Sequence, residues 1–140
     1  MRDKGEAARE TNGAESGAAM KRGNSLMKSF TYAASGVVQA SSERNFKVDI
    51  AAGIAALALC AALQVPAWGW AAVVVCVGVQ LAMETVNTAI EAIVDLASPE
   101  IHPLAKRAKD CAAGAALLTA CASVVVGCIV YIPALLALLS

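Results

Sequence analysis

The chain has 140 residues, of which 59% are hydrophobic and only 16% charged, with a mean hydropathy of +0.64. That is too apolar for an ordinary soluble domain of this length, and the chain reads as one integral membrane domain. Lysine plus arginine equals aspartate plus glutamate at 11 each, so the net charge points to no nucleic acid or other polyanion as partner, and only the distribution of charge informs.

Residues 1–24 are rich in Ala, Gly, Glu, Arg, Lys, Asn and Ser and, after the initial Met1, hold no large apolar side chain except Met20. Such a stretch cannot bury a core, so a disordered cytoplasmic tail is expected. It has no apolar run before a cleavage site and is not a signal peptide. Over 25–40, Leu26, Phe30, Tyr32, Val37 and Val38 recur among Lys28, Ser29, Ser35 and Gln39. This is too short and too polar to span a bilayer and fits an amphipathic interfacial helix, or one packed under the bundle, although Gly36 weakens it.

A polar break at 41–45 follows, where Ser or Asn can cap the next helix. Residues 50–65 carry no charge and end at Pro66, which predicts a first span over about 48–65. An uncharged turn with Trp68 and Trp70 suits an interfacial aromatic belt. The second helix is expected over about 67–96, and its seventeen residues 67–83 carry no charge, rising roughly 25 Å.

From Glu84 the same helix changes character. At about 100° per residue, Glu84, Asn87, Glu91 and Asp95 share an arc of roughly 80°, while Val86, Ala89, Ile90, Ile93 and Val94 between them are apolar. Glu84 is thus expected at one membrane boundary and the others progressively further into the headgroup layer. Ionisable groups so placed mark a functional site unless they only bond neighbouring helices. Pro99 and Pro103 break the chain, and Pro103 can open the third helix, expected over about 104–139.

Three spans put the ends on opposite sides. Up to Lys47 there are eight basic and five acidic residues, and from Val48 onward three basic and six acidic, the basic ones being Lys106, Arg107 and Lys109. The loop on the other side is uncharged, so the positive-inside rule places the N-terminus in the cytoplasm. Small residues at 112–116 permit close helix approach, and three short spans favour self-association. The five cysteines, Cys60, Cys76, Cys111, Cys121 and Cys128, show no ligand spacing and read as free thiols used as small hydrophobes.

In this topology Glu43, the 84–95 stripe, and Glu100, His102, Lys109 and Asp110 gather at the cytoplasmic boundary. Acids, an amide and a lysine at a lipid–water boundary are the parts needed to hold a metal-complexed phosphate. Magnesium takes one or two carboxylates plus phosphate oxygens and water, and phosphoryl transfer needs a group to accept the proton of the attacking hydroxyl. Glu84 lies where a lipid alcohol presents its hydroxyl. Glu91, roughly 10 Å further along the helix, suits an ion in the headgroup layer. Soluble kinase motifs are absent. A small membrane subunit that binds or conducts cations without chemistry is the alternative; a lipid phosphatase lacks a nucleophile, since Cys111 has no paired histidine nearby.

Three blocks, SERNF at 42–46, METVNTAIEAIVDL at 83–96 and SPEIHPLAKRAKDCAAGA at 98–115, resemble the small bacterial integral-membrane diacylglycerol kinases, especially their undecaprenol kinase branch. The resemblance implies an all-α fold of three transmembrane helices preceded by an interfacial helix, over residues 25–140. It also implies a homotrimer with composite sites between subunits, and an ATP- and Mg2+-dependent lipid kinase in the cell membrane acting on undecaprenol or, as second choice, diacylglycerol. By position, Glu84 resembles the catalytic base, and Glu43 and Glu91 the magnesium ligands. Tyr32, Glu43, Glu91, Glu100, His102, Lys109 and Asp110 resemble ATP-binding positions, and Asn87 and Asp95 supporting ones. The interfacial helix departs from the family pattern, with no basic residue between Lys28 and Arg44.

Overall fold

The computed structural model describes residues 26–100 and 102–139; the tail expected at 1–24 lies outside them. Every regular element among the described residues is an α-helix: α1 over 26–40, α2 Arg44–Ala62, α3 Ala67–Ala97 and α4 Pro103–Leu139. The chain divides into two units, up to Val38 and from Gln39 onward. Most of α1 belongs to the first, and the three long helices make the second.

Helix α1 runs through Gly36, where an added Cβ would meet nothing within 4 Å, so packing does not require a glycine there. Its Leu26, Phe30, Tyr32 and Val38 are exposed.

Helices α2, α3 and α4 are each long and apolar enough to cross a membrane. Their outer faces expose large aliphatic side chains such as Ile54, Val75, Leu118 and Val125, which suits hydrocarbon as the solvent, because a helix satisfies its own backbone there.

The helix ends have local causes. Backbone bonds from Ser42 N to Gln39 O and from Glu43 N to Ala40 O turn the chain so that Glu43, not the expected Ser or Asn, becomes the N-cap of α2, extended at φ −71°, ψ 146° and with no side-chain cap bond. The helix starts before the expected span because its first turn is polar and stands outside the apolar run. It ends at Ala62, before the expected Val65, because Leu63, Gln64 and Val65 form a C-terminal cap. Val65 N bonds Cys60 O at 3.0 Å and Gln64 N bonds Ala61 O at 3.2 Å, the paired bonds of a Schellman motif. Its left-handed residue is Gln64, at φ 51°.

Pro66, extended at φ −65°, precedes α3, and its carbonyl accepts from the amides of Gly69 and Trp70. At the other end of the bundle Pro103 opens α4 as expected. His102 Nδ1 accepts the Leu104 amide at 3.2 Å, satisfying one of the donors a helix start leaves open.

Helix α3 is the central element, packed extensively against α4 and along part of α2, while α2 and α4 touch little. Gly53 lets α2 approach α3, since a Cβ there would stand 2.9 Å from Val77 Cγ1. A Cβ on Gly69 would collide with Val65 and stand 3.0 Å from Val130 Cγ1. Around these approaches Cys60, Val65, Val73 and Val130 form the buried cluster, with Trp70 and Tyr131 against it. Tyr131 Oη donates to Ala56 O at 3.0 Å, tying α4 to α2. The core therefore sits near the Gln64 turn, and towards the opposite end α2 and α4 leave an open groove floored by α3.

Candidate active site

The polar line on α3 forms as its spacing requires, and burial falls along it. Glu84 and Asn87 are each 5% exposed, Glu91 is half-buried and Asp95 exposed. The deepest carboxylate is thus the one nearest the apolar part of the helix.

Glu43 comes to this line from the turn before α2. Because its carboxylate makes no cap bond, it is left for the small pocket, about 80 Å³, that it lines with Glu84, Asn87, Thr88 and Glu91. Arg44 and Asn45 complete the rim. Within the pocket Asn87 Nδ2 donates to Glu91 Oε1 at 3.1 Å, which orients both side chains. Asn87 Oδ1 is buried and has no hydrogen-bond partner. An orphaned buried acceptor costs about 1–3 kcal/mol, a penalty that a bound donor or cation removes.

No group of three or more His, Cys, Asp or Glu residues among the described ones is arranged to hold a metal ion. A magnesium ion bound with a nucleotide needs fewer, since phosphate oxygens and water complete its octahedron. Glu43 and Glu91 on one pocket, beside the unsatisfied Asn87 oxygen, fit that requirement.

A second pocket of about 300 Å³ lies further along, between the end of α3 and the start of α4. It gathers Asp95, Glu100, His102, Lys109 and Asp110, with Lys106 beside them. Lys109 and Asp110, adjacent in sequence, point apart on the helix. Lys109 Nζ lies 2.5 Å from Asp95 Oδ1, and Lys106 Nζ lies 2.5 Å from Asp110 Oδ2. His102 Nδ1 accepts the Leu104 amide, which leaves its Nε2 as the ring atom available to a ligand.

The expected residues therefore fall into two neighbouring sets along α3, Glu43, Glu84, Asn87 and Glu91 in the first and Asp95, Glu100, His102, Lys109 and Asp110 in the second. Tyr32 belongs to the other unit, where it is exposed.

Sequence reasoning missed a third group. Gln80 Nε2 donates to Asp49 Oδ2 at 3.0 Å, and Thr119 Oγ1 donates to Gln80 Oε1 at 2.6 Å, so one polar side chain from each long helix joins a string beneath Glu84. A signal existed. Gln80 precedes Glu84 by four residues and so falls on the same helical arc, extending the stripe one turn deeper.

The chain's relatives carry the same activity class. The family model for prokaryotic diacylglycerol kinase matches residues 31–131. An undecaprenol kinase of Bacillus subtilis is 38% identical over 113 residues, 80% of this chain and 92% of the relative. A diacylglycerol kinase of Synechocystis sp. is 40% identical over 116 residues, 81% of this chain and 66% of the relative. With both pockets lying inside the matched region, and three helices fit to cross a bilayer, the chain belongs to the prokaryotic diacylglycerol kinase family and is a lipid kinase.

Proposed function

We propose that the chain transfers the γ-phosphoryl group of ATP to the hydroxyl of a membrane lipid alcohol, with undecaprenol the favoured acceptor and diacylglycerol the second. The observation that carries the reading is the buried Glu84 at the junction of the apolar and polar parts of α3, in one pocket with Glu43, Asn87 and Glu91. Support for undecaprenol comes from the relative of that name, most of whose length the chain covers, and from the ERNF and HPLAK forms of the motifs.

The lipid hydroxyl approaches Glu84 from the hydrocarbon side. Glu84 accepts its proton as the oxygen attacks the γ-phosphorus; the new O–P bond forms, the bond to the bridging β,γ-oxygen breaks and ADP leaves. Lys109 and His102 Nε2–H donate to the nucleotide, and Glu100 and Asp110 shape its pocket. Asp95 holds Lys109 in place. Asn87 offers its free Oδ1 to the reacting groups while fixing Glu91. Glu43 and Glu91 would hold Mg2+, which when bound neutralises charge on the transferring phosphates.

The reaction takes place in the cell membrane, with the N-terminus, the 1–24 tail and the site on the cytoplasmic side, because the basic residues lie there. The working form is a homotrimer. Purified protein in micelles, given labelled ATP, Mg2+, undecaprenol and diacylglycerol together, is expected to label undecaprenyl phosphate more strongly than phosphatidate. No labelled lipid from folded protein would remove the reading.

A further inference from the structure

We infer that Gln80 reads the ester group of an acylglycerol acceptor, its amide held for that contact by Asp49 and Thr119. The inference rests on the proposed reaction, with the hydroxyl held at Glu84.

Two cavities meet at this string. The first, about 360 Å³, holds Glu84 and Asn87 at its polar end; the second, about 270 Å³, runs down the groove between α2 and α4 to Tyr131. Asp49, Gln80 and Ala120 line both. They are the neck. Below it the lining is almost wholly apolar, with Ala52, Gly53, Val73 and Val124, so a lipid whose hydroxyl reaches Glu84 lays its hydrocarbon chain there and passes Gln80 on the way.

Gln80 lies one helical turn from Glu84, about 6 Å along the axis. The two acceptor classes differ at that depth. In an acylglycerol the ester carbonyls stand a few bonds below the free hydroxyl, whereas a polyprenol presents only hydrocarbon. The amide of Gln80 has two N–H donors, of which one goes to Asp49, while its oxygen accepts from Thr119. The second N–H remains for a ligand carbonyl. Fixed at both ends by neighbouring helices, the amide meets such a carbonyl without further ordering, and a polyprenyl chain, having no acceptor, neither gains nor loses by it.

A cycle between protein and ligand isolates this contact. Phosphorylation of a diacylglycerol and of the dialkylglycerol of equal chain length, which lacks the carbonyls, is measured on unaltered protein and on Gln80→Leu. One neutral hydrogen bond corresponds to a preference for the ester lipid of about fivefold in kcat/KM, expected to fall to near unity in Gln80→Leu. If Gln80→Leu does not fold, Gln80→Met, close in length and without the amide, gives the same comparison. An ester-to-ether ratio that the substitution leaves unchanged overturns the role of Gln80. So does unaltered protein that phosphorylates undecaprenol but neither glycerolipid, a result that leaves the kinase reaction standing. Protein that labels no lipid of any class overturns the proposed reaction and the reading of Gln80 with it.

Discussion

Lys109 Nζ and Asp95 Oδ1 lie 2.5 Å apart, joining the first turns of α4 to the last turns of α3 across the chain break at 98–102. The lysine side chain is 35% exposed and the aspartate 65%, so the pair faces water. A pair in that setting contributes at most about 1 kcal/mol to stability. Its importance therefore lies in where it holds the Lys109 ammonium, at the wall of the second pocket.

Lys109→Met is expected to lower the thermal midpoint by no more than a few degrees while reducing kcat/KM for ATP by about 100-fold, since a cation on transferring phosphates stabilises charge that grows in the transition state. Asp95→Asn, which frees the lysine without removing it, is expected to have a smaller effect of the same kind. Steady-state kinetics against ATP, with unfolding followed on the same samples, checks both. A large fall in stability with unchanged KM for ATP would show instead a merely structural pair.

Glu84→Gln keeps size and hydrogen-bonding capacity but cannot take the substrate proton. Turnover is expected to fall by at least about 100-fold, the usual contribution of a positioned base, with nucleotide binding within a few-fold of normal. Rapid lipid phosphorylation by this variant would remove Glu84 from the role of base.

The line Glu84, Asn87, Glu91 and Asp95 was legible because helical periodicity alone puts those residues on one face. The limits of α3 followed from Pro66 and Pro99, which act locally. The end of α2 was less so: Leu63 and Val65 continue the apolar run without a charge, and only the left-handed Gln64 between them shows that they are a cap. The partner of Lys109 depends on how α3 and α4 meet, which adjacency in sequence misstates, whereas Lys106 pairs with Asp110 one turn further along α4 itself. Gln80 and Asp49 were overlooked for a related reason. Each is one polar residue beside a long apolar run, and their pairing with Thr119 exists only once three helices pack.

Gln64 gives a stability prediction remote from the site. A non-glycine residue in the left-handed region costs about 1 kcal/mol, and Gln64 occupies that region at the cap of α2. Gln64→Gly is expected to stabilise the protein by a few tenths of a kcal/mol to about 1 kcal/mol, with part of the gain offset by the freer unfolded chain. Kinase activity should not change. The midpoint of denaturation in detergent is the readout, and a fall would mean that the Gln64 side chain makes an interaction worth more than the backbone strain.

Asn87 separates function from stability most sharply. Its Oδ1 is buried without a partner, while its Nδ2 is spent on Glu91. Replacing the side chain by leucine, similar in volume, removes an unsatisfied acceptor but also one hydrogen bond to a half-buried carboxylate. Loss of the bond costs about 1–2 kcal/mol and loss of the orphan returns a similar amount, so Asn87→Leu is expected to unfold within about 1 kcal/mol of the unaltered protein. Turnover should nevertheless drop by about 100-fold, because Glu91 loses the contact that orients it and the reacting groups lose an acceptor. Sites that keep a polar atom unsatisfied in the resting protein do so at a cost in stability that only bound substrate recovers. Comparing denaturation midpoints with and without nucleotide and Mg2+ makes the argument testable in one experiment. Ligand should raise the midpoint of the unaltered protein clearly and that of Asn87→Leu much less. Equal ligand-induced shifts in the two would mean that the Asn87 oxygen meets nothing when the site fills.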